Sequence, residues 1–175
     1  FCPIKNKVPE RFVIGWIGTS SNLPHVKMIA PALQQFLEKY DDAEFLLVSD
    51  KQPVLNGLKS FRYLRWSESN EAEVIGEMDV GIMPLADNEH TCGKCSFKML
   101  QYMSCGLPVV VSPVGMNKFV LSLGDIGLSA ITIDDWVDAL DFFYHNRALA
   151  QKMGTTGRDL VEAEFSTEVV SRKIA

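Results

Sequence analysis

Runs of apolar residues without alternation punctuate this chain at regular intervals. Phe12-Val13-Ile14-Gly15-Trp16-Ile17-Gly18, Glu44 to Ser49, Phe61 to Trp66, Asp79 to Leu85 (which stops at Pro84) and Val109-Val110-Val111 are each three to seven residues long. Such runs are expected of strands buried on both faces, as in a parallel sheet covered by helices. Between them the period changes. Val26, Ile29, Ala30, Leu33, Phe36 and Leu37 recur at helical spacing within Leu23 to Tyr40. Ser67 to Met78 predicts a short helix. Another opens near Gly93 and ends at Gly106, a glycine placed for a left-handed C-terminal cap. Gly127 to Ala130 predicts a short last strand. Thr132 or Asp134 caps a helix carrying Trp136, Val137, Leu140, Phe143 and Tyr144, and two further helices follow over 148–164 and 165–175. Strand and helix alternate throughout and nothing repeats. The fold class is therefore α/β, a doubly wound, mostly parallel, Rossmann-like sheet with helices on both faces. Residues 1–11 form a polar lead-in or linker remnant, and residues 12–175 one domain.

Composition narrows what that domain does. Its 175 residues are 47% hydrophobic, enough for one well-filled core. A formal net charge of −5 argues against nucleic acid as a partner, although a local basic site remains compatible with it. No apolar run is long enough to span a bilayer, and the start does not resemble a signal peptide. A start at Phe1 rather than Met fits an excised domain. Four cysteines include the Cys92-Gly93-Lys94-Cys95 spacing, but no second pair accompanies it, so reduced, incidental thiols are favoured over a metal or redox pair.

The chemistry gathers where strands finish. On a helix opening at Gly93, Lys94, Lys98 and Gln101 share one narrow stripe, opposite Leu100 and Met103, with Phe97 and Met99 at the margins. Two cations on the first turns of a helix, where backbone N–H groups already attract anions, suit phosphate. A solvated helix face accounts for the same residues equally well by spacing alone. Position favours a ligand, because open parallel sheets bind beyond the carboxyl ends of their strands. The first strand is likewise followed by Gly18, Thr19, Ser20, Ser21 and Asn22, which either cradle a phosphate or cap the next helix. Arg65 and Trp66 end the third strand, as a stacking platform for a base or as packing. Asp50 after the second strand lacks the GxGxxG turn that would make it a ribose ligand.

With these residues in place, the chain resembles the C-terminal domain of GT-B-fold glycosyltransferases, in the large retaining family 4 (group 1). The segments that carry the likeness are Phe12 to Ser21, Gly81 to Leu85, Gly93 to Val110, Ser112 to Asn117, and Arg158 through Ser166. The resemblance implies a donor-binding half-enzyme of hexosyltransferase type. It binds a nucleotide-diphosphate sugar, and a separate N-terminal domain of its own chain supplies the glycan or other hydroxyl acceptor. Transfer with retention, no cofactor and no obligatory metal are implied too. So is a cytoplasmic location, with peripheral membrane attachment through the missing domain as an option, and inactivity of the isolated fragment. By position, Gly18, Thr19 and Ser20 lie near the diphosphate and Arg65 and Trp66 flank the base. Ser96 and Phe97 present amides to phosphate, and Gln101 faces the ribose. The family's two glutamates, eight positions apart, are Gly93 and Gln101 here, so Glu89 or another loop residue stands in for the first. Thr19 stands where an arginine is usual, leaving Lys94 and Lys98 to supply the charge that stabilises the leaving group. The replaced glutamates also motivate an alternative, a non-catalytic sugar-nucleotide-binding or interaction module of GT-B shape. A GT-B-shaped epimerase or phosphorylase is disfavoured by the central helix.

Overall fold

Six strands lie side by side in the computed structural model, which describes residues 11–55, 58 and 60–174. They are β1 (Phe12–Ile17), β2 (Ala43–Ser49), β3 (Arg62–Arg65), β4 (Val80–Met83), β5 (Val109–Val111) and β6 (Gly127–Ser129). Their spatial order is β3-β2-β1-β4-β5-β6, every neighbouring pair being parallel. The chain thus builds outward from β1 to one edge, returns to the centre, and builds outward again from β4. Where the order reverses, between β1 and β4, the flanking connections part and leave a crevice.

The absence of alternation in the strands has a direct cause. Phe12, Ile14 and Trp16 enter one apolar cluster, with α1 (Leu23–Lys39) and α6 (Ile133–His145). Val13 and Ile17 enter the other, with α2 (Glu71–Gly76), α4 (Phe97–Ser104), and the inner side of α5 (Met116–Leu121). Neighbouring side chains point to opposite faces, so two covered faces demand an apolar residue at every position. α3 (Glu89–Cys92), α7 (Arg147–Leu160) and α8 (Thr167–Ile174) complete the described helices. Among the described residues no helix is long and apolar enough to cross a membrane.

Several boundaries differ from expectation, and each has a local reason. The helix expected to open near Gly93 is two helices. Asn88 and Thr91 close a capping box, Thr91 N–H donating to Asn88 Oδ1 at 3.0 Å and Asn88 N–H to Thr91 Oγ1 at 3.1 Å, which creates the one-turn α3. A connector follows, and α4 starts only at Phe97, after Ser96 has turned left-handed at φ 55°. Lys94 therefore stands off the helix, and the apolar side of α4 is rotated: Met99, Tyr102 and Met103 are buried, while Phe97 is 58% exposed. Gly106 does cap α4. Its φ is +78°, with Gly106 N–H donating to Met103 O and Leu107 N–H to Tyr102 O, a Schellman pair. α5 arises where only a turn was expected. The helix expected at 67–78 is confined to Glu71–Gly76, and that over 148–164 stops at Leu160, giving way to a wider π turn, Val161–Phe165. The lead-in over residues 1–10, and with it Cys2, lies outside the described residues.

Candidate functional site

A cleft of about 300 Å³ opens at the carboxyl ends of β1 and β4, in the crevice the strand order creates. One wall is the end of β1 and the start of α1, contributing Trp16 to Gly18, Asn22 and His25. The other is Met83 to Leu85 after β4 together with the connector and first residues of α4, Gly93 to Lys98.

Ser96 is the most constrained residue of the second wall. It is the one non-glycine residue at positive φ among those described, and it is 1% exposed. Its Oγ, though buried, has no hydrogen-bond partner among the described residues. A left-handed serine costs on the order of 1 kcal/mol or more in backbone strain, and an unmet buried hydroxyl adds to that. Such costs concentrate where a site is pre-organised for something it binds. The strained turn aims the N-terminus of α4 at the cleft. Leu100 N–H makes the first bond of the helix, to Ser96 O at 3.0 Å, so the amides of Phe97, Lys98 and Met99 have no acceptor within it.

Two ammonium groups flank that terminus. Lys94 Nζ donates to Asn22 Oδ1 at 2.6 Å, and Asn22 Nδ2 donates to Thr19 Oγ1 at 2.9 Å, which ties the connector to the loop after β1. Lys98 Nζ donates to Gln101 Oε1 at 2.8 Å and to Glu71 Oε1 at 3.4 Å, lying 5.3 Å from the centre of the Phe97 ring. From below, Tyr102 fixes the relation between the two walls. This fully buried phenol accepts Ile17 N–H at 2.9 Å, and burial pushes its pKa upward.

His25 adds a neutral polar group. Its Nδ1 accepts Ala86 N–H at 3.3 Å, and its pKa is held below the ordinary 6.5 by partial burial, then by the charges of Lys94 and His90. The folded protein thus resists protonating His25, whereas the unfolded chain accepts the proton near pH 6.5. The stability that His25 confers is complete above that pH and is lost as the pH falls below it. Urea midpoints of the wild type are therefore expected to drop between pH 7 and pH 5.5 more steeply than those of His25→Asn, whose amide can still accept Ala86 N–H. Equal slopes would refute this.

Of the residues singled out in the sequence, Gly18, Asn22, Gly93, Lys94, Cys95, Ser96, Phe97 and Lys98 meet around the cleft. Thr19, Ser20, Arg65, Trp66, Glu89 and Gln101 stand outside its lining. Ser20 is occupied elsewhere: its N–H and Oγ both bind the Asp50 carboxylate, at 2.5 and 3.1 Å, and these bonds hold Asp50 below the usual carboxylate pKa. Thr19 is one bond removed, through Asn22. The capping alternative for this loop fails as well, since Asn22 at the start of α1 makes no side-chain cap and spends its amide on Thr19 and Lys94. Gln101 is 5% exposed, beneath Lys98 rather than beside it. Glu89 is exposed on α3. Arg65 and Trp66 end β3 at the sheet edge, and Trp66 is 41% exposed, not a buried anchor; its Nε1 donates to Glu71 Oε1 at 3.1 Å. Of the cradle residues read after the first strand, Asn22 reaches the cleft; His25 was missed, and its signal was its place in the first turn of the helix that follows a strand and a glycine. Cys92 and Cys95 are free thiols, and no cluster of three potential metal ligands occurs among the described residues.

The same architecture occurs in solved structures. The C-terminal domain of the group 1 glycosyl transferase LpcC from Francisella tularensis superposes with a TM-score of 0.75 at 17% identity, covering 95% of this chain and 96% of that domain. Anabaena Alr3699/HepE in complex with UDP and glucose gives 0.73 at 13% identity, covering 94% of this chain but 47% of that protein. A mutant of S. aureus TarM, in complex with fondaparinux, α-GlcNAc-glycerol and UDP, gives 0.75 at 14%, covering 98% and 36%. The chain thus spans 96% of the LpcC domain and less than half of the length of HepE and TarM. No curated protein sequence matches it. The family model described as glycosyl transferases group 1 matches residues 11–146, from the start of β1 to the end of α6. By that match, and with a GT-B C-terminal fold, the chain belongs to the group 1 glycosyl transferases.

Proposed function

We propose that the cleft binds the diphosphate of a nucleotide-sugar donor, and that this domain is the donor half of a retaining transferase. The observation that carries the reading is Ser96, a strained, buried hydroxyl without a partner among the described residues, set at a helix N-terminus between two lysines. Transfer breaks the bond between the anomeric carbon and the diphosphate oxygen, and negative charge grows on the departing diphosphate. Lys94, Lys98 and the first amides of α4 meet that charge as it develops, which is electrostatic catalysis. The acceptor hydroxyl comes from an N-terminal domain in a longer chain, in keeping with the share of HepE and TarM that this chain spans. The nucleoside end of the donor runs toward Trp66, whose indole N–H and Lys98 bind one and the same Glu71 oxygen. UDP, present in the HepE and TarM complexes, is the first ligand to try.

Calorimetric titration of the purified protein with UDP and GDP, with orthophosphate as a control, tests the reading. Saturable binding of a nucleoside diphosphate is expected. A folded sample that binds neither nucleotide would overturn it. Ser96→Gly sharpens the test, because glycine accepts the left-handed turn and removes the unmet hydroxyl. Its unfolding free energy is expected to equal or exceed the wild type's by up to about 1 kcal/mol, while UDP affinity falls about tenfold, the worth of one hydrogen bond to a charged group.

A further inference from the structure

Glu71 lies on no strand end and does not line the cleft, yet it is the carboxylate that touches Lys98. Its side chain is 13% exposed and that of Lys98 28%, so the pair is partly withdrawn from water and weakly screened. The lysine has three donors: one goes to Gln101, one to Glu71, and the third remains for the cleft. The Glu71 oxygen that accepts from Lys98 at 3.4 Å also accepts from Trp66 Nε1 at 3.1 Å. One carboxylate thus joins the first turn of α2, the end of β3 and the first turn of α4. A structural tie between the tryptophan and the lysine needs only an acceptor, which an amide provides. What the carboxylate adds is a negative charge beside the cation that the diphosphate must engage.

We propose that Glu71 is a positioning residue that holds Lys98 as its counter-ion and competes with the diphosphate for it, setting how tightly a nucleoside diphosphate is kept. The inference rests on the reading of the cleft as a diphosphate site. For a transferase the nucleoside diphosphate is also the product, and a carboxylate that reclaims Lys98 hastens its departure. The ammonium binds either the Glu71 oxygen or the phosphate at full strength, and the charge already present weakens the newcomer's hold.

Glu71→Gln separates charge from shape, because the amide oxygen still accepts from both Trp66 and Lys98. Two measurements on the purified protein test the proposal. In the first, lysines are acetylated without nucleotide by a limiting dose of an N-hydroxysuccinimide ester, and site-specific rates are read by peptide mass spectrometry. Lys98 is expected to react about threefold faster or more in Glu71→Gln, while Lys94, paired with Asn22, reacts equally in both proteins and serves as the internal control. Glu71→Asp is expected to restore part of the protection. In the second, UDP affinity is expected to rise about 3- to 10-fold in Glu71→Gln, the effect of removing one charge near a multiply charged anion. Unchanged labelling of Lys98 overturns the proposal, as does UDP affinity that is unchanged or weaker in the variant while the wild type binds. If neither protein binds any nucleotide, the diphosphate reading falls and the competition falls with it, whatever the labelling shows. Thermal unfolding midpoints of the two variants confirm that the comparison is between folded proteins.

Discussion

Lys98→Ala is expected, on the proposed reading of the cleft as a donor site, to lower turnover about 10²- to 10³-fold, the usual cost of deleting one group that stabilises transition-state charge. The lysine stands at the first turn of α4, so its charge and the helix amides act on the same point in space. The larger part of the loss belongs in kcat, because the diphosphate bears more charge on the bridging oxygen when the glycosidic bond is breaking than when the donor is merely bound. A rise in donor KM is expected too. Without Lys98 the Glu71 carboxylate loses its cation and repels the donor, so adding Glu71→Gln to Lys98→Ala is expected to recover part of the KM and none of the kcat. Steady-state rates of the longer chain proposed above, carrying an acceptor domain, decide it. A loss of less than about fivefold in kcat would remove Lys98 from the chemistry and leave it as one of several surface charges near an anion site.

Lys98 was visible in the sequence, and so was Gln101; its counter-ion Glu71 was not, and the difference is instructive. The sheet could be read because burial on both faces leaves a local trace, an apolar residue at every position of Phe12 to Ile17 and of Val109 to Val111. Gly106 could be read because a left-handed cap selects glycine by sterics. The start of α4 could not, since the same left-handed turn at Ser96 carries a residue that gives no such signal. Starting the helix four residues early placed Lys94, Lys98 and Gln101 on one stripe. The connector brings Lys94 to the cleft by another route and leaves Gln101 beneath Lys98. The engagement of Ser20 was hidden from the sequence for a different reason. Its acceptor, Asp50, is thirty residues away and reaches it only when β1 and β2 are paired. Glu71 is likewise distant from Lys98 in sequence, and nothing local marks a carboxylate at the start of a short helix as a counter-ion. Contacts made by tertiary pairing leave no periodic signature, and the site is mostly such contacts.

The same dependence on tertiary contact makes Gly81 a position at which one added methyl group disturbs both the sheet and the cleft. Gly81→Ala is expected to destabilise the protein by about 2–5 kcal/mol, combining overpacking with a buried hydrogen bond put at risk. Gly81 lies mid-sheet, between Gly15 of β1 and Val109 of β5. A Cβ there would come within 2.3 Å of Cγ of the Tyr102 ring and within 2.7 Å of both neighbouring ring carbons. Those atoms belong to a fully buried, rigid side chain whose hydroxyl is committed to Ile17 N–H, so they cannot swing aside as a flexible tip would. Relief requires α4 to lift from the sheet, or the ring to tilt and surrender the Ile17 bond. Either movement displaces Ile17 and Gly18 on one wall of the cleft relative to Ser96 and Lys98 on the other. Gly81→Ala is thus expected to weaken UDP binding as well as to lower the urea midpoint. Tyr102→Phe isolates one of the two components: it keeps the ring in place and leaves only Ile17 N–H without its acceptor, for about 1–3 kcal/mol. A Gly81→Ala protein no less stable than Tyr102→Phe would mean that the helix can ride up by the thickness of a methyl group at little cost. The two walls would then be joined by the phenol's hydrogen bond and not by the close contact that the bare glycine permits.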